Sequence, residues 1–340
     1  MYYNFRNDYS HGAHPDVLKA VEATNLDGIV GYGQDDWCKK AADKIKAACK
    51  APQAEVEFLI GGTQTNFVAI AAFLRPWESV ICAETAHING HESGAVEATG
   101  HKLIQLPVGP DGKVRPEQIP PVMKAHTDPH LTLPRLLYIS QATENGTAYT
   151  KAELKALSEV CKEHNLILYC DGARLGVALT STACDVTLED MATYCDAFYI
   201  GGTKNGAMMG EALVFCDSKL HNEFFRMKKQ TGSVLAKGWL LGVQFDALFT
   251  DDLYWKMGRH ANEMAARLQE GLKAAGVELM VESTTNQIFP IVSNEMVEKL
   301  QKVCAFEVWG PVDEKRTIIR FVCNFATKVE DVDGLLSIMK

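Results

Sequence analysis

From about residue 35 to residue 245, short apolar runs alternate with stretches of helical periodicity. Val56 to Ile60, Ser79 to Ala83, Lys102 to Pro107, Leu136 to Ser140, Leu166 to Cys170, Ala197 to Ile200 and Ala212 to Cys216 have the length and β-branched content of buried strands. Between them, Thr63 to Leu74 reads as a helix, and Thr150-Lys151-Ala152-Glu153 is a capping box opening another that runs to about His164. Trp37 to Lys50 reads as a helix ahead of the first run. Strands that pair in parallel need a crossover, usually helical, so this alternation predicts βαβ units and a mainly parallel sheet covered by helices. The expected fold class is α/β.

After about residue 246 the pattern changes. A long helical stretch, Leu253 to Ala275, leads to strand-like pieces at Val277 to Val281, Gln287 to Val292 and Thr317 to Phe321, and Thr327-Lys328-Val329-Glu330 reads as a second capping box before a last helix. We expect a large domain over residues 1–245 and a small α+β domain over 246–340, closely packed because no linker composition separates them. The net charge of −9 argues against general nucleic-acid or anionic-membrane binding, which needs a basic face. No apolar run approaches a membrane span, and the N-terminus lacks a signal-peptide pattern. The ten cysteines show no CxxC pair and several sit inside apolar runs, as expected of free thiols in the cytoplasm.

Four features fall at the ends of these strands, where open α/β sheets bind ligands. Gly61-Gly62-Thr63-Gln64-Thr65-Asn66 joins a strand to a helix start, whose free N–H groups and dipole suit a phosphate, with Thr63 as a hydroxyl donor. Glu84-Thr85-Ala86-His87 brings an imidazole able to stack on a ring or carry protons. Asp171-Gly172-Ala173-Arg174 offers a carboxylate for a pyridine nitrogen, and a guanidinium for a carboxylate or phenolate oxygen. Lys204 follows a strand and is flanked by glycines, where burial makes an amine a better nucleophile toward an aldehyde. Each has an ordinary reading alone: a turn, a satisfied loop histidine, a structural ion pair, a solvated lysine. Their order carries more weight than any member.

Over nearly its whole length the chain resembles the threonine aldolase branch of the β-eliminating lyase family, which has the pyridoxal-phosphate (PLP) fold type I of aspartate aminotransferase. The segments that carry the likeness are Asn7-Asp8-Tyr9-Ser10, Gly31-Tyr32-Gly33-Gln34-Asp35, Gly61 to Asn66, Glu84 to Ile88, Asp171 to Leu175, and Arg320 in Ile319-Arg320-Phe321. The resemblance implies an enzyme that cleaves threonine or allo-threonine to glycine and an aldehyde, as a dimer or tetramer with active sites at subunit interfaces. It implies that Lys204 links covalently to PLP, Asp171 pairs with the pyridine nitrogen, and His87 stacks on the ring. Gly61, Gly62 and Thr63 would hold the phosphate. Arg174 and Arg320, with Ser10, would hold the substrate carboxylate. Tyr32 would reach a neighbouring subunit's site, and Lys237 would contact the partner's phosphate. One departure stands out. Where the family often has Glu-Asn-Thr-His-Asn, this chain reads Gln141-Ala142-Thr143-Glu144-Asn145 within Ser140 to Thr147, so Glu144 takes the histidine's position. The base is then Glu144, His87 or a water. β-Elimination and transamination use the same lysine, aspartate and arginine, and stay open as alternatives, as does a PLP-fold protein that binds without turnover. Metal catalysis through His11 and His14, or His87 and His91, lacks a third-ligand signal.

Overall fold

The computed structural model describes residues 2–339. The chain opens with a two-residue strand, β1 (Tyr3–Asn4), and then builds a seven-stranded sheet from β2 (Glu55–Leu59), β3 (Glu78–Ala83), β4 (Leu103–Leu106), β5 (Leu133–Ser140), β6 (Ile167–Asp171), β7 (Ala197–Gly201) and β8 (Glu211–Phe215). Their spatial order is β2-β8-β7-β6-β5-β3-β4. β4, β3, β5, β6 and β7 pair in parallel, and β8 alone runs against its neighbours β7 and β2. All seven fall on the apolar runs read from the sequence, with ends that differ by one to three residues. β3, β6, β7 and β8 are buried along their whole length, because helices cover both faces of the sheet.

Capping explains where the helices begin. Asp35 accepts the Cys38 N–H at 2.8 Å and starts Asp36–Ala48. Thr150 and Glu153 form the expected reciprocal box at the head of Lys151–Glu163. The second expected box does not form. The Thr327 hydroxyl accepts the Asn324 N–H at 2.9 Å instead, and the last helix begins at Val329. The turn that joins β14 to the last helix takes the hydroxyl in place of the cap.

The C-terminal region holds an antiparallel sheet: β9 (Glu278–Leu279), β10 (Gln287–Ile288), β11 (Pro290–Ser293), β13 (Glu307–Pro311) and β14 (Arg316–Val322), with β14 at its centre. Between them, β12 (Cys304–Ala305) pairs in parallel with β1. The run expected over 287–292 is therefore two short strands either side of Phe289. The N-terminal Phe5 packs into the C-terminal core beside Phe321, with ring centroids 6.0 Å apart. The two apolar cores divide along the helix Leu253–Ala274: Tyr254 and Met257 join the core of the large sheet, Met264 and Leu268 the other. No helix among the described residues is long and apolar enough to cross a membrane.

Candidate active site

The site forms at the carboxyl ends of the central parallel strands. Asp171 is the last residue of β6 and is buried. Side chains alternate across a strand, so Tyr138 on β5, Tyr169 and Asp171 on β6, and Tyr199 on β7 share one face. The Tyr138 and Tyr199 hydroxyls donate to the Asp171 carboxylate at 2.5 and 2.6 Å. The Asn66 amide, from the helix Gly62–Phe73, donates at 3.0 Å, and the Ala173 N–H at 2.9 Å. Burial pushes the Asp171 pKa up. The hydrogen bonds from Tyr138 and Tyr199, nearby His87 and the Asn66 amide outweigh it and hold the group below the ordinary carboxylate value. A charged carboxylate is thereby kept at depth.

Gly172 lets the chain turn directly under β7: a Cβ there would lie 1.7 Å from the Tyr199 carbonyl oxygen. Beyond β7 the backbone turns through Gly202 to Gly206, held by the Tyr254 hydroxyl on the Gly201 carbonyl and by the Asn205 amide on the Tyr254 carbonyl. This turn presents Lys204, half-buried, with its amine 6.0 Å from the Tyr9 ring and without a hydrogen-bond partner among the described residues. Burial, then the nearby Arg174 guanidinium, lower its pKa from the ordinary lysine value. Glu211, which accepts the Gly202 N–H at 3.1 Å, lies beneath the same turn, and burial pushes its carboxyl up to about 8.

His87 begins a one-turn helix after β3, and its Nδ1 lies 2.7 Å from the buried Glu92 carboxylate. Gly61 precedes the helix Gly62–Phe73 without a side-chain cap, so the first N–H groups, with the exposed Thr63, remain available. A Cβ on Gly62 would come within 3.0 Å of the Tyr199 hydroxyl, which places this helix start beside the Asp171 cluster. Glu144 is half-buried, its carboxylate has no hydrogen bond among the described residues, and its charge raises the pKa of both His87 and Arg174. It lines a small enclosed space with Thr85, Ala86, Tyr138 and Thr143.

Arg174 is less free than its sequence position suggests. Asp8 clamps it from the N-terminal segment, accepting Nε at 2.8 Å and Nη2 at 3.1 Å, with both side chains buried. Arg320, on β14, lies against Trp309 with 5.0 Å between the guanidinium carbon and the ring centroid, and donates one 3.3 Å bond to Gln287. Its buried Nε is unpartnered. Ser10 is exposed and donates to Asn7 at 2.7 Å.

Tyr32 and Lys237 stand apart from this cluster. Tyr32 is exposed, lies under the Lys229 ammonium at 4.8 Å, and its N–H donates to the Ala236 carbonyl beside the exposed Lys237. His11 and His14 flank Phe325, and no group of three or more metal-ligating side chains is gathered among the described residues.

Comparison with known proteins settles the ancestry. The model of the beta-eliminating lyase family matches residues 4–295. This chain belongs to the beta-eliminating lyase family. A relative in it, the low specificity L-threonine aldolase of Pseudomonas aeruginosa, is 33% identical over 97% of this chain and 95% of its own length. The solved structure of Leishmania major threonine aldolase superposes with a TM-score of 0.97 at 44% identity, covering 99% of this chain and 98% of that one. Aspartate aminotransferase from Thermus thermophilus shares the fold alone, at TM-score 0.74 and 17% identity over 99% of this chain and 90% of that one. The lyase chain thus has the α/β architecture of PLP fold type I enzymes, with a mainly parallel sheet and a C-terminal antiparallel one.

Asp8, Glu92, Tyr138, Tyr199 and Glu211 were not singled out as site residues from sequence. The tyrosines sit in apolar strands and read as core. Glu92 and Glu211 have no local signature, and only the fold turns their carboxyl groups inward.

Proposed function

We propose that this chain is a PLP-dependent aldolase that cleaves a β-hydroxy-α-amino acid, threonine or allo-threonine, to glycine and an aldehyde. The observation that carries the reading is the unpartnered Lys204 amine, its pKa lowered, at the strand ends that hold the buried charge of Asp171. The donor set fits PLP: an amine for its aldehyde, a carboxylate for its ring nitrogen, an imidazole for its ring face, and an uncapped helix start at Gly61, Gly62 and Thr63 for its phosphate. When bound, PLP supplies an electron sink for the bond that breaks at Cα.

The chain's own residues do the rest. Asp171, kept ionised by its four donors, holds a proton on the ring nitrogen. Arg320, with its unpartnered Nε, takes the substrate carboxylate together with Arg174, whose Nε and Nη2 Asp8 occupies, and with Ser10. Glu144, unpaired and half-buried, receives the β-hydroxyl proton, with His87 or a water as the other routes. We assign Tyr32 and Lys237 to the site of a neighbouring copy in a homodimer or homotetramer. Both are exposed and meet at the Ala236 turn rather than at the Asp171 cluster. The division into a large domain over 1–245 and a small one over 246–340 belongs to the same reading, with the N-terminal segment 1–20 contributing to the site.

The test is direct. Incubation with L-threonine and L-allo-threonine is expected to release acetaldehyde and glycine, and Lys204→Ala is expected to lose both this activity and the violet absorbance of lysine-linked PLP. Pyruvate and ammonia from serine, with no acetaldehyde from either threonine, would point to β-elimination instead.

A further inference from the structure

Glu92 lies two residues past the one-turn helix His87–Gly90, and the chain folds back so that its carboxylate sits beside the His87 imidazole. The Glu92 side chain is fully shielded from solvent, and its Oε2 atom has no hydrogen-bond partner. A buried carboxylate without a counter-charge is costly, and an unpaired oxygen adds to that cost. Something must compensate. Oε1 makes two contacts: His87 Nδ1 at 2.7 Å and the Asn66 amide at 2.8 Å. The same amide nitrogen donates to Asp171 at 3.0 Å. Its orientation is set independently, because the Tyr169 hydroxyl donates to the Asn66 carbonyl oxygen at 3.2 Å. Asn66 is therefore a fixed bridge between two carboxylates, one under the imidazole and one at the end of β6. His87 Nε2 has no partner among the described residues.

We propose that Glu92 is a positioning residue for His87: it holds the proton on Nδ1, leaves Nε2 facing the reacting groups, and through Asn66 ties the ring to the Asp171 carboxylate. A carboxylate accepts and cannot donate while ionised, so a 2.7 Å contact with Nδ1 requires the proton there. The consequence for the reaction rests on the reading of this cluster as the PLP site; the tautomer itself does not. Groups facing the imidazole from the surrounding elements are Glu92 and His91 on its own segment, Glu144 after β5, Asp171 on β6 and Lys204 after β7. Burial works against protonation of the ring, while Glu92, Glu144 and Asp171 favour it and leave its pKa raised. Removing the Glu92 charge lowers it.

The experiment uses full-length protein labelled with 15N-histidine, with the His87 signals assigned by their loss in His87→Asn. The expected result is an Nδ1–H tautomer for neutral His87, and a titration midpoint that falls by about one pH unit or more in Glu92→Gln. The acidic limb of the kcat profile should move in the same direction, with KM little changed. A neutral Nε2–H tautomer in the unsubstituted protein, or an unmoved midpoint in a folded Glu92→Gln variant, overturns the proposal. If Glu92→Gln does not fold, Glu92→Asp keeps the charge but retracts it by one methylene. Mixed tautomers are then expected, and an unchanged Nδ1–H tautomer counts against the proposal. Should both variants fail to fold, the tautomer in the unsubstituted protein still decides. Absence of the violet PLP band alongside the Nδ1–H tautomer would sink the cofactor reading and leave the Glu92–His87 pair standing.

Discussion

Two of the four groups that donate to the Asp171 carboxylate are tyrosine hydroxyls buried on neighbouring strands. Those hydroxyls have no water to turn to, so removing the acceptor leaves them unpaired, while the Asn66 amide keeps only its bond to Glu92. Asp171→Ala is therefore expected to lose about 3 kcal/mol of stability as well as most turnover, read by urea unfolding and by kcat. Full activity in that variant would remove Asp171 from the assigned role. The same reasoning separates the two arginines. Arg174 has its charge answered by Asp8, while Arg320 keeps a buried Nε without a partner, so Arg320 has more left to offer an incoming carboxylate.

The turns that follow the strands decide how closely the site residues approach. After β6 the backbone of Gly172 passes under β7, where any side chain would meet the Tyr199 carbonyl. Backbone cannot yield as a flexible side chain does, so Gly172→Ala is expected to lower stability by more than about 3 kcal/mol. Gly61 makes a control at the next site turn. It is extended, at φ −171° and ψ 161°, and a Cβ there meets nothing within 4 Å, so Gly61→Ala should melt as the unsubstituted protein does. Equal melting temperatures for both variants would contradict this account of the β6–β7 turn. The glycines in these two motifs thus do different work: one permits close packing of strands, the other leaves a helix start open.

At the scale of the whole molecule, Asp8 joins three parts of the chain. It sits in the N-terminal segment, pairs with Arg174 behind β6, and accepts the Asn286 amide from the loop before β10 at 2.9 Å. Burial raises its pKa, but Arg174, Lys204 and Asn286 outweigh burial and leave it below the ordinary 3.8. A carboxyl depressed in the fold contributes stability above its unfolded value, and that stability is lost as pH falls through the folded value. The contribution should be complete near pH 6 and decline as pH falls below the ordinary 3.8 toward the lower folded value. Asp8→Asn strands a buried guanidinium and is expected to cost about 3–5 kcal/mol at neutral pH, with the difference from the unsubstituted protein shrinking as pH falls. Urea midpoints measured from pH 7 down to pH 3 check this; a difference independent of pH would assign the loss to packing instead.

Hydrophobic periodicity was enough to determine the seven strands of the main sheet, two of the longer helices between them, Gly62–Phe73 and Lys151–Glu163, and the chain's α/β class, because burial between two helical layers demands continuous apolar runs. The strand-end motifs at 61–66, 87, 171–174 and 204 were legible for a related reason: glycines beside charged or polar groups at strand ends have few purely structural uses in combination. What those residues touch was decided by tertiary structure alone. Asp8 and Arg174 lie 166 positions apart, and Asn66 and Asp171 105 apart, and no local pattern records such pairings. The short strands beyond residue 275 were read less well, since two-residue strands are stabilised by the sheet they join rather than by their own sequence.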